Sequence, residues 1–163
     1  MSVPVIRSAE LPADALLGRY SKAGDFTDCR GVEVAHSVSL PELITAFYNS
    51  AAFRPERWLL GLLLGRGANA ADVASLAAGS TERFAAWTVE ARLPDQLLLC
   101  DFQGKTRSWL MVEPLPQGTR LYFGSAVVTT RSGTDAFVFR ALLGFHRAYS
   151  YFLLRSAAKA LLR

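Results

Sequence analysis

The sequence predicts an α+β fold in which a curved antiparallel sheet of about five strands wraps around a long C-terminal helix. Two observations carry this prediction. From Phe84 to Thr130 the polarity alternates with a period of two and is interrupted by tight-turn residues, whereas residues 140–163 repeat with the period of a helix. Capping signals between residues 39 and 79 add short helices between the first strand and the second.

The composition indicates one globular domain. A length of 163 residues suits a single domain over residues 1–163, with residues 1–24 as an N-terminal extension. Hydrophobic residues make up 51% and charged residues 20%, which excludes a disordered chain. The N-terminus has no apolar stretch of signal-peptide length, and no apolar run approaches the roughly 18 residues of a membrane span. We expect a cytoplasmic protein with reduced thiols and no integral membrane segment.

Several function classes are not expected. The formal charge of +4 comes from bases spread along the chain, whereas a nucleic-acid interface clusters them on one face. Two histidines, two cysteines and no clustered carboxylates supply no ligand set for a metal. Residues 65–70, GRGANA, match a loose dinucleotide fingerprint, but a predicted helix precedes them where that motif requires a strand. The sequence therefore predicts neither a metal nor a cofactor, and no nucleic-acid partner.

The first half of the chain contains one strand and several short helices. Residues 12–20 suggest a short helix in the N-terminal extension, and residues 27–38 alternate in polarity and predict the first strand. Three further helices follow, signalled by a capping box at Ser39 and Glu42, a first-turn proline at Pro55, and a cap pair at Asn69 and Gly79.

The second half predicts an antiparallel meander whose tight turns fix the side-chain facing. A two-residue loop at Gln103-Gly104 would place Cys100 opposite Arg107 and Leu98 opposite Trp109. A similar loop at Pro94-Asp95 would place Val89 opposite Cys100 and Ala91 opposite Leu98. The face predicted to form the core beneath the terminal helix carries Trp87, Val89, Ala91, Leu93, Leu98, Cys100, Phe102, Trp109 and Met111.

Two questions of facing stay open in the sequence. Arg107 is a charge on this otherwise apolar face. It either extends from the strand end to water, or reaches into a cavity to bind an anionic group or to pair with Asp28. The last strand follows a turn of unknown length, so its inward residues are either Phe123 and Ser125 or Tyr122 and Ala126.

The C-terminal helix is amphipathic. At about 100° per residue its bases fall on one arc, and the opposite arc carries its leucines together with His146, Tyr149 and Ser150. His146 and Ser150 lie one turn apart and within side-chain reach. His146 is either a hydrogen-bonded core residue or a polar group that orients a ligand. No strained nucleophile turn or oxyanion hole completes a catalytic triad.

Three stretches resemble the START-like, or SRPBCC, superfamily. They are DFTDCRGVEV, DQLLLCDFQGKTRSWLMVEPLPQGTRLYFGSAVV and FRALLGFHRAYSYFLLR, and they are distributed over residues 25–160. Within that superfamily the chain is similar to a bacterial family of unknown function, whose domain also occurs fused behind dehydrogenases that resemble nucleotide-sugar epimerases. The resemblance implies a helix-grip fold, in which the sheet wraps the C-terminal helix and leaves room for an apolar cavity.

The leading functional hypothesis is the binding of an apolar or amphipathic small molecule between the sheet and the C-terminal helix. The candidate ligand-binding residues are Trp87, Arg107, Trp109, His146, Tyr149 and Ser150. One alternative is an enzyme of the cyclase or isomerase type that uses His146 as acid and base. Another is an accessory module that binds a protein partner or a second copy of itself.

Overall fold

The described part of the chain contains seven strands and four helices. The computed structural model describes residues 4–50, 69–128 and 136–162, and the side chains of all of these except residues 136–148. The strands are β1 (Arg7–Ser8), β2 (Phe26–Val34), β3 (Arg83–Phe84), β4 (Trp87–Leu93), β5 (Gln96–Asp101), β6 (Thr106–Leu115) and β7 (Gly118–Val127). The helices are α1 (Gly18–Lys22), α2 (Leu40–Tyr48), α3 (Ala70–Ala78) and α4 (Ala136–Leu161). The α+β class and the long C-terminal helix are confirmed.

All seven strands form one antiparallel sheet in the order β1-β2-β7-β6-β5-β4-β3. Five of them are the predicted strands, and β1 and β3 are added at the two edges. Each added strand has only two residues, which is too few to show an alternation of polarity. The strand predicted to begin near Arg83 instead folds back at Ala85, whose φ of 51° is positive, and thereby forms the β3–β4 hairpin.

The register between β5 and β6 is the predicted one. The prediction of which side chains face α4 is wrong for these two strands. Cys100 lies opposite Arg107 and Leu98 opposite Trp109. The side chains of Leu98 and Trp109 face away from α4, toward the N-terminal segment of residues 4–25. Every residue from Leu97 to Cys100 is apolar, so the alternation that would have identified the helix side is absent from β5.

A β-bulge changes the predicted facing of β4. The register shifts between Val89 and Ala91, so that Val89 lies opposite Leu99 instead of Cys100. One extra residue moves every side chain on one side of a bulge to the other face of the sheet. Trp87 and Val89 therefore pack toward α4, whereas Ala91 packs toward the N-terminal segment.

Both faces of the sheet are covered. On one face, β-strand side chains such as Val32, Leu99 and Leu110 pack with α2, α3 and α4. On the other face, Leu98, Trp109, Met111 and Tyr122 pack with residues of the N-terminal segment, including Ala15 and Leu17. For the last strand the first of the two open alternatives is correct, because Phe123 belongs to the core beneath α4 and Tyr122 to the opposite core.

The helix caps agree with the sequence. In α2 the Ser39 hydroxyl accepts a bond from the Glu42 backbone N–H, and the Glu42 carboxylate accepts one from the Ser39 N–H at 2.7 Å. In α3 a capping box at Asn69 opens the helix and Gly79, with a φ of 73°, ends it. The helix predicted at Pro55 lies outside the described residues.

The C-terminal half of α4 is amphipathic as predicted. Ser150, Leu153, Leu154, Ala157 and Ala158 are buried against α2 and the sheet, whereas Lys159 is exposed. Among the described helices, none combines the length and the apolarity that a membrane crossing requires. The helix therefore contributes its apolar face to the core that it shares with α2, α3 and the sheet.

Candidate functional site

A cavity of about 190 Å³ lies between the sheet and α4. Five elements contribute to its lining: the last turn of α2, the start of β4, the facing strands β6 and β7, and α4. The lining residues are Phe47, Tyr48, Trp87, Thr106, Arg107, Ser108, Phe123, Ser125, Tyr149 and Leu153. It is therefore built at the place where the sequence predicts a ligand, between the sheet and the C-terminal helix.

Aromatic side chains form the walls of the cavity. The capped helix α2 ends with Phe47 and Tyr48, both almost fully buried, and this last turn is held against α4. The Phe47 ring lies 4.9 Å from the ring of Phe123 on β7, and 5.1 Å from that of Tyr48 in an edge-on arrangement. Such packed rings hold a wall in place and leave a flat apolar surface for a ligand.

Hydroxyl groups form the sheet side of the cavity. Thr106, Ser108 and Ser125 are on the two central strands, and Ser108 lies directly opposite Ser125. The hydroxyl of Thr106 donates to the Asp101 carboxylate at 3.0 Å, which ties it to the β5–β6 turn. The two serines thus place two small polar groups side by side on an otherwise aromatic surface.

The predicted site residues on β4 and α4 have different outcomes. Trp87 and Tyr149 are half-buried and line the cavity. Ser150 is buried at 1% exposure but is not among the side chains that line it. The side chain of His146 lies outside the described ones, so its predicted role stays a prediction.

Of the two predicted residues on β6, Trp109 lies away from the cavity and Arg107 lies at its border. Trp109 is fully buried in the core on the opposite face of the sheet, where its indole N–H donates to Gln96 Oε1 at 2.9 Å. Arg107 borders the cavity, but its guanidinium binds Glu90 and Tyr20 on that same opposite face. Trp109 does not reach the cavity, because odd-numbered residues of β6 point toward the N-terminal segment, whereas Arg107 contributes to the lining although its guanidinium is held on the opposite face.

The ion pair of Arg107 joins the N-terminal segment to the sheet. Arg107 Nε lies 2.5 Å from Glu90 Oε2 and 2.7 Å from the Tyr20 hydroxyl, and that hydroxyl donates to Glu90. Burial and the bond to Glu90 raise the pKa of Tyr20. Burial alone would lower the pKa of Arg107, but Tyr20 and Glu90 outweigh it and raise the value. Both groups therefore keep their protons at neutral pH, and the predicted partner Asp28 is not involved.

A second charged pair, which the sequence interpretation did not identify, lies on the α4 side of β2. Asp28 and Arg30 have the same facing as Val32, which packs beneath α4. Arg30 Nε lies 4.0 Å from Asp28 Oδ2, and the two side chains are 19% and 12% exposed. Asp28 is directly opposite Ser125 of the cavity. In the sequence of β2, charged residues stand at every second position before Val32. This alternation could have indicated that the two charges share one face.

Neither cysteine has the environment of a reactive thiol. Cys29 is buried in the core beneath the N-terminal segment, and this burial, with Asp28 nearby in the chain, raises the pKa of its thiol to about 12. Burial also raises the pKa of Cys100. Among the described side chains, those of residues 4–50, 69–128 and 149–162, no three His, Cys, Asp or Glu are grouped as metal ligands.

Comparison of the chain with family models, with curated proteins and with solved structures finds no match in any of the three. The resemblance to the START-like superfamily is therefore neither confirmed nor contradicted and stays a prediction. The function has to be inferred from the cavity and its chemistry.

Proposed function

We propose that the protein binds an apolar or amphipathic small molecule in the cavity between the sheet and α4, in a fold of the helix-grip type. The single observation that supports this is an aromatic-walled space of about 190 Å³ under the C-terminal helix. The connection of the elements agrees with this proposal, since α2 and α3 lie between the first long strand and the meander, and α4 follows the last strand.

The volume of the cavity limits the size of the ligand that it can hold. An apolar cavity of about 150 Å³ accommodates benzene, whereas sites for drug-sized molecules start at roughly 300 Å³. A cavity of about 190 Å³ therefore suits a compound with a single ring. Six ring carbons at about 0.8 kcal/mol each give about 5 kcal/mol, which corresponds to a dissociation constant on the order of 0.1–1 mM.

Titration with single-ring compounds, followed by two-dimensional NMR, tests this proposal. We expect saturable shifts confined to the cavity, at residues such as Trp87, Phe123 and Tyr149. Ser108→Leu should abolish these shifts, because the larger side chain occupies the cavity. Gln103→Leu, in the exposed β5–β6 turn, is the matched control and should bind normally. A wild-type protein that binds no single-ring compound would contradict the proposal.

The two alternatives receive no comparable support. The cyclase or isomerase hypothesis depends on His146, whose side chain is not described, and it stays a prediction. The large apolar side chains that are exposed among the described residues, Val5, Leu93, Phe102 and Phe152, belong to four different segments of the chain. Single exposed apolar residues are normal in soluble proteins, so they do not favour a protein-binding patch.

A further inference from the structure

A row of polar side chains crosses three strands at the cavity. Residues that lie opposite each other in antiparallel strands point to the same face. Asp28 lies opposite Ser125, and Ser125 lies opposite Ser108. Both serines line the cavity. The row therefore begins at a carboxylate on β2 and continues as two adjacent hydroxyls beneath the aromatic walls.

The spacing of the two serines suits one oxygen atom between them. Directly opposite side chains have Cβ atoms about 4.5–5.5 Å apart, and two O–H···O hydrogen bonds of about 2.7 Å span a similar length. Each serine hydroxyl can donate one bond and accept others. A ligand hydroxyl placed between the serines can accept a hydrogen bond from the Ser108 hydroxyl and donate one to the Ser125 oxygen, which has two lone pairs and accepts a bond even when its own proton is donated elsewhere.

The charges beside the row select a neutral ligand. Asp28 would repel a carboxylate at Ser125, and Arg30, on the same strand face, shares its charge with Asp28 at 4.0 Å, although its Nε–H has no hydrogen-bond partner among the described residues. The guanidinium of Arg107 is on the opposite face, bound to Glu90. A charged ligand would therefore lose part of its hydration without gaining a counter-ion of its own, which is costly in a partly buried site.

We propose that the cavity binds a neutral single-ring alcohol or phenol, whose hydroxyl is held between Ser108 and Ser125. This inference rests on the proposed function and specifies its ligand class. The ring contacts the walls formed by Phe47, Trp87 and Phe123, and the hydroxyl points at the sheet.

The experiment compares phenol, toluene and benzoate, which share one ring and differ in their polar group. We expect phenol to bind roughly tenfold more tightly than toluene, since it gains two hydrogen bonds, and benzoate to bind weakest. In a purely apolar cavity, toluene is expected to bind more tightly than phenol. Ser108→Ala with Ser125→Ala should therefore bind toluene more tightly than phenol, whereas Ser80→Ala, at an exposed site, should keep the wild-type order.

A second variant tests the role of charge without removing a hydroxyl. Asp28→Asn leaves Arg30 without its carboxylate and should strengthen benzoate binding several-fold, with the preference of phenol over toluene unchanged. The melting temperature of each variant shows that it is folded. Toluene binding at least as tightly as phenol in the wild type would overturn the inference and leave the proposed function intact. Failure of all three compounds to bind the folded wild type would overturn both.

Discussion

The side chain of Gln96 joins the N-terminal segment to Trp109 on the sheet. Its Oε1 accepts bonds from the Leu16 N–H at 2.8 Å and from the Trp109 indole N–H at 2.9 Å. Its Nε2 donates to the Asp14 carbonyl oxygen at 3.1 Å. Gln96 is only 1% exposed, so water cannot replace these partners. One amide thus satisfies the buried indole and fastens the N-terminal segment to the sheet.

Gln96→Leu should lower the free energy of unfolding by about 3 kcal/mol, because it leaves the buried indole N–H of Trp109 and partly buried backbone groups of Asp14 and Leu16 without partners. Chemical denaturation measures this loss. In a Trp109→Phe background, where the indole N–H is absent, the same substitution should cost about 1 kcal/mol less. An equal cost in the two backgrounds would mean that Gln96 does not act through Trp109.

Single residues also explain which parts of the site the sequence could identify. Trp87 and Tyr149 were recognised because they are large aromatics on predicted elements. Phe47 was missed because its contribution depends on how α2 packs against the sheet, which periodicity does not reveal. Trp109 was misplaced because the strands around it are apolar on both sides. Local chemistry predicted the kind of residue in the cavity, and tertiary packing decided which ones reached it.

At the scale of elements, the caps of α2 and α3 were predictable because they depend on neighbours three residues apart. The β5–β6 register was predictable for a similar reason, since a short turn fixes it. The bulge at Val89 and Ala91 was not, because an extra residue in an alternating strand leaves no distinct composition. Local rules therefore reproduce the elements and their order, and fail where one residue decides which face is buried.

Ser39→Ala should lower the free energy of unfolding by about 1 kcal/mol, because α2 loses the side-chain half of its capping box. The bonds from Ser39 also lower the pKa of Glu42. A lowered pKa contributes stability above the ordinary value of about 4.3, and this contribution is lost as the pH falls through the folded value. The difference between wild type and Ser39→Ala should therefore shrink in acid. Ser37→Ala, two residues earlier and exposed, is the control and should be neutral at every pH.

At the scale of the whole molecule, one sheet separates two cores that meet different elements. Gly124 lies in the core beneath the N-terminal segment, at a close approach of that segment to the sheet. A Cβ atom there would lie 2.7 Å from Leu17 Cδ2, 2.8 Å from Trp109 Cε3 and 2.9 Å from the Asp28 carbonyl oxygen. Only glycine allows the segment and the sheet to approach this closely.

Gly124→Ala should cost about 1–3 kcal/mol and loosen the N-terminal segment before the helical side of the fold. Hydrogen exchange with peptide resolution should show a loss of protection around Leu17, with α2 and α4 nearly unchanged. Gly18→Ala is the matched control, since nothing lies within 4 Å of its added methyl group. A uniform loss of protection over the chain would show that the two cores unfold as one unit.

The two-sided sheet also limits how this chain can diverge. In β6, the consecutive residues Trp109, Leu110, Met111 and Val112 are all buried, alternately in one core and in the other. A strand with one face in solvent tolerates polar substitutions at every second position. The centre of β6 has no such positions, because both of its faces are buried. Neutral substitutions must therefore accumulate in turns, helix exteriors and the edge strands, and the central strands should retain their apolar character in every descendant that keeps the fold.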